Sequence, residues 1–330
     1  MTTDIVGRSE VLATIDDFCE HSRTSGKSLI IVADPGLGKT TLLRYAARRW
    51  AAEGGRVLEV TAVEFEADIS FAGLVQIVSP IVDSVPGAEV RRAAILEALF
   101  DPKTATTLDR MAVTEALRNL LRAAAHDSPI LVLVDDVQWL DRSSAAVLTL
   151  LARRLTGTRV GLLGSTRPAA EGFFERARLD KYVLTPLGEA RRRRRLTAAR
   201  PARIAASRSP TKVVLASAAG NPLALVELPL VLADPGHDSP RADLSVVPLN
   251  RRLQVAFSSR IAGLPDATRQ SLLLAALEAT GSIRVLEVAA GERLLETLAP
   301  AERSRLGTSH GNPHQMITPP SSPPGGATIR

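Results

Sequence analysis

The stretch ADPGLGKTT, Ala33–Thr41, has the residue types and spacing of a phosphate-binding loop. Gly36 and Gly38 carry no Cβ, so backbone N–H groups there can turn inward around an anion. Lys39 would reach the β- and γ-phosphates of a nucleotide, and the Thr40 hydroxyl would ligate Mg²⁺. Asp34, Pro35, Leu37 and Thr41 complete the loop expected to wrap the phosphates. An apolar run precedes it and a helical pattern follows. Phosphates are then expected at a helix N-terminus, where the peptide dipoles favour negative charge. Ala33 stands where such loops usually have their first glycine. At the end of a strand its φ is expected to be negative, so the methyl group costs little. The plain alternative is a glycine turn that joins a strand to a helix.

A second group lies about a hundred residues on, in ILVLVDDVQWLD, Ile130–Asp141. Asp135 ends an apolar run. A carboxylate there, at the C-terminal end of a buried strand, can hold Mg²⁺ through water. Asp136 is placed to orient an attacking water. Otherwise the two acids cap the following helix, a role that Asp141 also fits. Arg167 closes VGLLGSTRP and could sense a γ-phosphate from the same sheet edge. Its alternative is a surface arginine before Pro168.

The elements that must position these residues alternate strand and helix, the signature of a parallel α/β sheet. Strands are expected at Ser28–Val32, Arg56–Ala62, Ile130–Val134 and Val160–Ser165. Helices are expected at Thr40–Ala52, which stops at Gly54-Gly55, and at Ser143–Arg154, with Val147, Leu148 and Leu151 inward. Another helical pattern carries Val113, Leu117, Leu120, Leu121 and Ala124. After about Pro168 no strong strand signal remains. Helical segments follow at Val213–Ala219, Pro222–Ala233, Leu249–Ala262 and Asp266–Glu278, with a Pro-rich break at Ala233–Pro240. Gly307–Arg330, rich in Pro, Gly, Ser and Thr, reads as disordered.

Bulk composition sets outer bounds. Apolar residues make up 45% and charged residues 23%, which fits a globular chain. Aromatics are only 3%, so the core must rest on Leu, Val, Ile and Ala. Cys19 is the single cysteine, which excludes an internal disulfide and suits a reducing, cytoplasmic setting. The N-terminus has no apolar signal region, and no long apolar run predicts a membrane span. The net charge of +6 is local: Arg191–Lys212 holds eight Arg, one Lys and no acid, so the rest sums to +6 − 9 = −3. The run Arg191–Arg195 has no interleaved aromatics. It reads as a solvated face, with non-specific nucleic-acid contact as the alternative.

With these pieces in order, the chain resembles signal-transduction ATPases of the STAND class. More closely, it is similar to the N-terminal AAA-type ATPase region of large LuxR-type (MalT-like) transcriptional regulators. IVGRSEVLATI matches the family's Val-Gly-Arg motif, which implies that Val6, Gly7 and Arg8 approach the adenine. DISFAGLVQIVSPIV matches the segment after the second strand. VLVDDVQWLDRSSAAVL is close to the family's Walker B segment, which usually has His where Gln138 stands. GNPLALVELP matches its Gly-x-Pro lid motif, which implies that Pro222 packs on the base. RRLQVAFSSRIAGLPDATRQSLLLAA resembles the start of the winged-helix unit that follows the lid.

The expected fold class is thus an α/β P-loop NTPase with a parallel central sheet, followed by a helical lid and a partial winged-helix-like unit. Expected domains are 1–170 for the NTPase, 171–235 for the lid, 241–300 for the helical unit and 301–330 for a disordered tail. The basic stretch Leu187–Ser209 departs from the family's acidic lid segment, and the resemblance stops near Ser304. Both features suggest a truncated or frame-disrupted member. The resemblance implies ATP/ADP and Mg²⁺ as ligands and self-association through the ATPase domain. Asp136, one methylene shorter than Glu, would hold the water more loosely, which predicts slow hydrolysis. With no helix-turn-helix in the sequence, specific DNA binding is not expected, nor is membrane association. The alternative is a non-catalytic ATP-binding or interaction remnant.

Overall fold

The structure is a computed structural model. It describes residues 5, 7–62, 67–82, 107–168, 174, 177–190, 192, 214–232, 261–277, 286–288 and 294–303. The Pro-rich break, most of the Leu249–Ala262 helix, Val6 and the Gly307–Arg330 tail lie outside the described residues. So do all of the Arg191–Lys212 arginines except Arg192.

The chain divides into two compact units. One comprises Arg8–Asp34 and Gly38–Thr185; the other comprises Met1–Gly7, Pro35–Leu37 and Pro186–Arg330. The first contains, in chain order, α1 (Ser9–Ser25), β1 (Lys27–Val32), α2 (Lys39–Ala52), β2 (Arg56–Thr61), α3 (Ala72–Val82), α4 (Thr107–Ala124), β3 (Ile130–Asp135), a 3₁₀ turn (Val137–Trp139), α5 (Arg142–Ala152), β4 (Val160–Thr166) and β5 (Lys181–Val183).

The five strands form one sheet in the order β2-β3-β4-β1-β5, with every pair parallel. β3 is an apolar run up to Asp135, and β4 is buried along its whole length, because both are central and covered on both faces. One face carries a core that includes Ile30, Val60, Val132 and Val134, with Ile77 from α3, Leu117 from α4 and Leu148 from α5. On the other, α1 and α2 bury Ile15, Phe18, Leu42 and Trp50. The Trp50 indole N–H donates to the Pro129 carbonyl at 3.1 Å, which satisfies its polar atom inside the core.

β5 corrects the expectation of no strand after Pro168. Lys181–Val183 pairs with Ile30–Val32, and the Leu184 N–H donates to the Val32 carbonyl at 2.8 Å. Three residues at a sheet edge, exposed–intermediate–exposed, leave no apolar run to read. Most other boundaries shift by one residue. α3 stands on a segment whose sequence gives a clear apolar face despite Pro80.

Asp141 ties two helices of this unit together. It is the N-cap of α5, accepting the Ser144 N–H at 2.8 Å. The same carboxylate accepts the N–H groups of Phe71 (2.8 Å) and Gly73 (3.1 Å) at the start of α3. Ser144 Oγ takes a fourth amide, that of Leu74. Gly73 leaves room for this approach, since a Cβ there would meet Leu140 Cδ2 at 2.7 Å.

The second unit has its own small core. Leu187, Val214, Ala218, Ala224, Leu225 and Leu264 cluster around α6 (Pro222–Leu232). α7 (Asp266–Leu277) and α8 (Leu294–Arg303) pack on each other, with Leu286, Leu294 and Leu298 buried beside them. α8 runs three residues past the point where the tail was expected to begin. Arg192 does not behave as part of a solvated face. Its Nε donates to the Leu187 carbonyl at 2.6 Å, and it lies against Gly220.

Candidate functional site

In open parallel sheets, ligands bind outside the C-terminal strand ends where the strand order reverses. Here that place is the C-terminal end of β1. The chain leaves β1 for β2 at the far edge and later returns to β5 on the other side of β1. The Ala33–Thr41 loop starts at this point.

The loop has the backbone its glycines predict. Gly36 and Gly38 hold φ of +79° and +99°. A side chain at either would be strained, and a Cβ on Gly38 would point into open space with no atom within 4 Å. Ala33 is not among the residues with positive φ, as expected for its place at a strand end. It is 1% exposed, and its N–H donates to the Thr166 carbonyl at 3.1 Å. Gly38 caps α2, so the free N–H groups of the first turn open onto the loop.

Lys39 begins α2 and is buried at 8% exposure. Its Nζ donates to the Ala33 carbonyl at 3.1 Å and lies 3.8 Å from Asp136 Oδ1. Burial pulls its pKa below the usual lysine range, while Asp136, Asp135 and Asp34 oppose that shift and Arg167 adds to it. Thr40 Oγ1 donates to Asp135 Oδ2 at 2.6 Å, across 95 residues of sequence. The other Asp135 oxygen accepts from the Ser165 hydroxyl and from the Asp136 N–H at 3.1 Å. The two residues expected to hold a metal thus meet directly. Ser165, from the intervening strand β4, fixes the carboxylate. Among the described residues no group of three or more His, Cys, Asp or Glu is gathered to hold a metal. One carboxylate and one hydroxyl suit Mg²⁺, which keeps waters and takes substrate phosphates for its remaining positions.

Asp136 sits in the left-handed region at φ +50° and ψ +57°, an uncommon place for a non-glycine residue. Its backbone N–H is held by Asp135 Oδ1 and by Ser165 Oγ at 3.0 Å. Arg167 follows β4, and its guanidinium carbon lies 5.6 Å from the centre of the Trp139 ring.

The remaining expected residues are dispersed. Asp34 and Thr41 are exposed, Leu37 is buried, and Pro35 is half-buried. Gly7 has φ +81°. Arg8 precedes α1, and its Nη1 donates to the Thr185 carbonyl at 2.5 Å. Pro222 is the first residue of α6, a position its fixed φ and missing N–H suit. Val6 lies outside the described residues.

Sequence reasoning missed three contributors. Ser165 and Thr166 end β4 at the site, and a polar pair closing a buried strand was the available signal. Asn221 was passed over in favour of Pro222. Its Oδ1 caps α6 by accepting the N–H groups of Leu223 (3.0 Å) and Ala224 (3.2 Å). Its Nδ2 donates to the Pro35 carbonyl at 2.8 Å, and the Leu223 N–H donates to the Gly36 carbonyl at 3.2 Å. A Cβ on Gly36 would lie 2.7 Å from Asn221 Oδ1. The loop tip Pro35–Leu37 accordingly groups with the unit that contains α6. An Asn before Pro at a helix start is a cap signal.

Sheet, loop and terminal carboxylate together define the α/β P-loop NTPase fold. Residues 4–163 match the family described as AAA ATPase domain. Among solved structures the chain is similar to a Walker-type ATPase of Pyrococcus abyssi, at 11% identity and TM-score 0.42, over 96% of this chain and 94% of that one. It is also similar to the ORC2 protein of Aeropyrum pernix (ADPNP–ADP complexes), at 17% identity and TM-score 0.41, over 93% and 88%. A third is RuvB of Thermotoga maritima, at 14% identity and TM-score 0.38, over 95% and 92%. No curated protein matches the chain. Among the described residues, no helix is long and apolar enough to cross a membrane.

Proposed function

We propose that this chain binds ATP with Mg²⁺ and works as a slowly hydrolysing nucleotide switch. The single observation that carries the reading is the 2.6 Å contact between Thr40 and Asp135, formed at the N-terminus of α2 beside the buried Lys39. In this reading the loop amides and Lys39 hold the phosphates, and Thr40 and Asp135 hold the cation. Mg²⁺ would neutralise charge on the β- and γ-phosphates. The electrostatics favour a cation-dependent ligand. Three carboxylates, those of Asp34, Asp135 and Asp136, act on Lys39 against one guanidinium, that of Arg167, so a cation held by Thr40 and Asp135 would lessen their repulsion of a polyphosphate. Removing divalent cations with EDTA should weaken ATP binding by about tenfold or more.

Asp136 Oδ1 lies 3.8 Å from the Lys39 ammonium, and in this reading the carboxylate orients the attacking water. It is one methylene shorter than Glu, so the water is held loosely and turnover is slow. Arg167 senses the γ-phosphate. The Asn221 bond to the Pro35 carbonyl supports a coupling in which nucleotide state biases α6. The resemblance to LuxR-type regulators supports signal transduction as the setting and self-association as one output.

The test is ATP titration with a phosphate-release assay. Lys39→Ala should abolish ATP binding, while Asp136→Ala should keep binding and lower turnover. Normal ATP binding by Lys39→Ala would overturn the site assignment. No binding by the wild type would favour an interaction remnant.

A further inference from the structure

Of the side-chain polar atoms buried without a hydrogen-bond partner among the described residues, three follow the ends of β3 and β4: Asp136 Oδ1, Gln138 Nε2 and Arg167 Nε. Buried polar groups are nearly always paired, because an unpaired one keeps the full cost of losing water. Three so close in the fold, beside the phosphate loop, make this the place to look for a ligand's polar atoms. Asp136 Oδ1 has the Lys39 ammonium 3.8 Å away, and the Arg167 guanidinium has the Trp139 ring. Gln138 is different, because its amide is satisfied at one end only.

Gln138 is the middle residue of the 3₁₀ turn Val137–Trp139, which leaves β3 through the left-handed Asp136. The Trp139 N–H closes that turn on the Asp136 carbonyl at 2.9 Å. The side-chain Oε1 accepts from the Thr166 hydroxyl at 3.2 Å. Thr166 is the register partner of Val32, and its carbonyl receives the N–H of Ala33, the first residue of the loop. Gln138 is thereby fastened, through one hydroxyl, to the root of the phosphate loop. With Oε1 occupied, Nε2 has two N–H donors and no acceptor among the described residues. A neutral amide donor held one hydroxyl away from the root of the phosphate loop is suited to an anionic oxygen.

We propose that Gln138 is a further ligand-contacting residue, donating from Nε2 to an oxygen of the terminal phosphate of ATP. This rests on the nucleotide reading above and makes it more specific: Gln138 separates ATP from ADP, which lacks that oxygen. Thr166 is a positioning residue that presents the amide in this orientation.

The experiment measures the affinity of the full chain, with Mg²⁺, for ADP and for a non-hydrolysable ATP analogue. The proteins are the wild type, Gln138→Ala, Gln138→Glu and Thr166→Val. Gln138→Ala should lose about tenfold in affinity for the ATP analogue, the worth of one hydrogen bond to a charged group, and keep ADP affinity within about twofold. Gln138→Glu keeps the size and packing but replaces the donor with a repelling carboxylate, so it should lose more, again for the ATP analogue alone. Thr166→Val should show a smaller loss of the same sign. Equal losses for both nucleotides would make Gln138 a merely structural residue and overturn the proposal, as would no loss in either Gln138 variant. If Gln138→Ala fails to fold, Gln138→Glu decides alone. A wild type that binds ADP and the analogue alongside unselective variants defeats the Gln138 assignment only. A wild type that binds neither nucleotide defeats the nucleotide reading as well.

Discussion

At the scale of single residues, the site consists of groups held slightly out of balance. Lys39 is buried among carboxylates, Asp136 is strained, and Gln138 has an idle donor. Cys19 is the contrasting case, a buried group in a purely structural position. It is 1% exposed inside α1, and burial pushes its thiol from 9.0 up to about 12. A folded-state pKa above the unfolded value gives stability that is fully present below about pH 9 and lost as pH rises toward 12. Between pH 9 and 10.5 this loss amounts to about 2 kcal/mol. Urea unfolding should show the wild-type midpoint falling over that range by more than the midpoint of Cys19→Ala. Parallel pH profiles for the two would contradict the assignment. Composition revealed only that Cys19 had no disulfide partner. Its burial follows from facing inward with Ile15 and Phe18, a face the sequence reading did not assign to a helix.

At the scale of elements, what was legible divides along physical lines. β1, β3 and β4 were readable because central parallel strands must be apolar on both faces, and the loop was readable because its backbone demands glycine. β5 was not, since an edge strand of three residues needs only backbone pairing. The Thr40–Asp135 pair was expected as two separate metal ligands. Their direct contact and the Ser165 hydroxyl between strands depend on β4 lying between β1 and β3, an order that no local pattern encodes. Asp141 was read as a helix cap, which it is. Its two bonds to the start of α3 come from residues 68 and 70 positions away. Asp141→Ala leaves three buried amides without an acceptor and should cost about 3 kcal/mol, read as a drop in the urea midpoint at unchanged slope. Asp141→Asn keeps one acceptor oxygen and should cost less. Equal stability of Asp141→Ala and wild type would remove this carboxylate from the account of how α3 and α5 are joined.

At the scale of the molecule, the chain has two units with separate cores, and Pro35–Leu37 groups with the one that contains α6. Asn221 makes that grouping concrete through one side-chain hydrogen bond to the loop and two cap bonds to α6. The sequence pointed to Pro222 there by resemblance; the polar atoms that reach the loop are those of its neighbour. The net charge of +6 says little about this architecture, because it arises from one short basic stretch, and Arg192 within that stretch holds a backbone carbonyl. The central claim is that the loop binds ATP with Mg²⁺ through Lys39. A ligand that binds only the folded state stabilises it by mass action, about 2.7 kcal/mol at a concentration near a hundred times its Kd. The most direct measurement is the unfolding free energy of the full chain with and without saturating ATP–Mg²⁺, for the wild type and Lys39→Ala. The predicted result is stabilisation of about that size in the wild type and none in the variant. A wild type that ATP–Mg²⁺ leaves unchanged, or a variant stabilised as much as the wild type, would contradict the account.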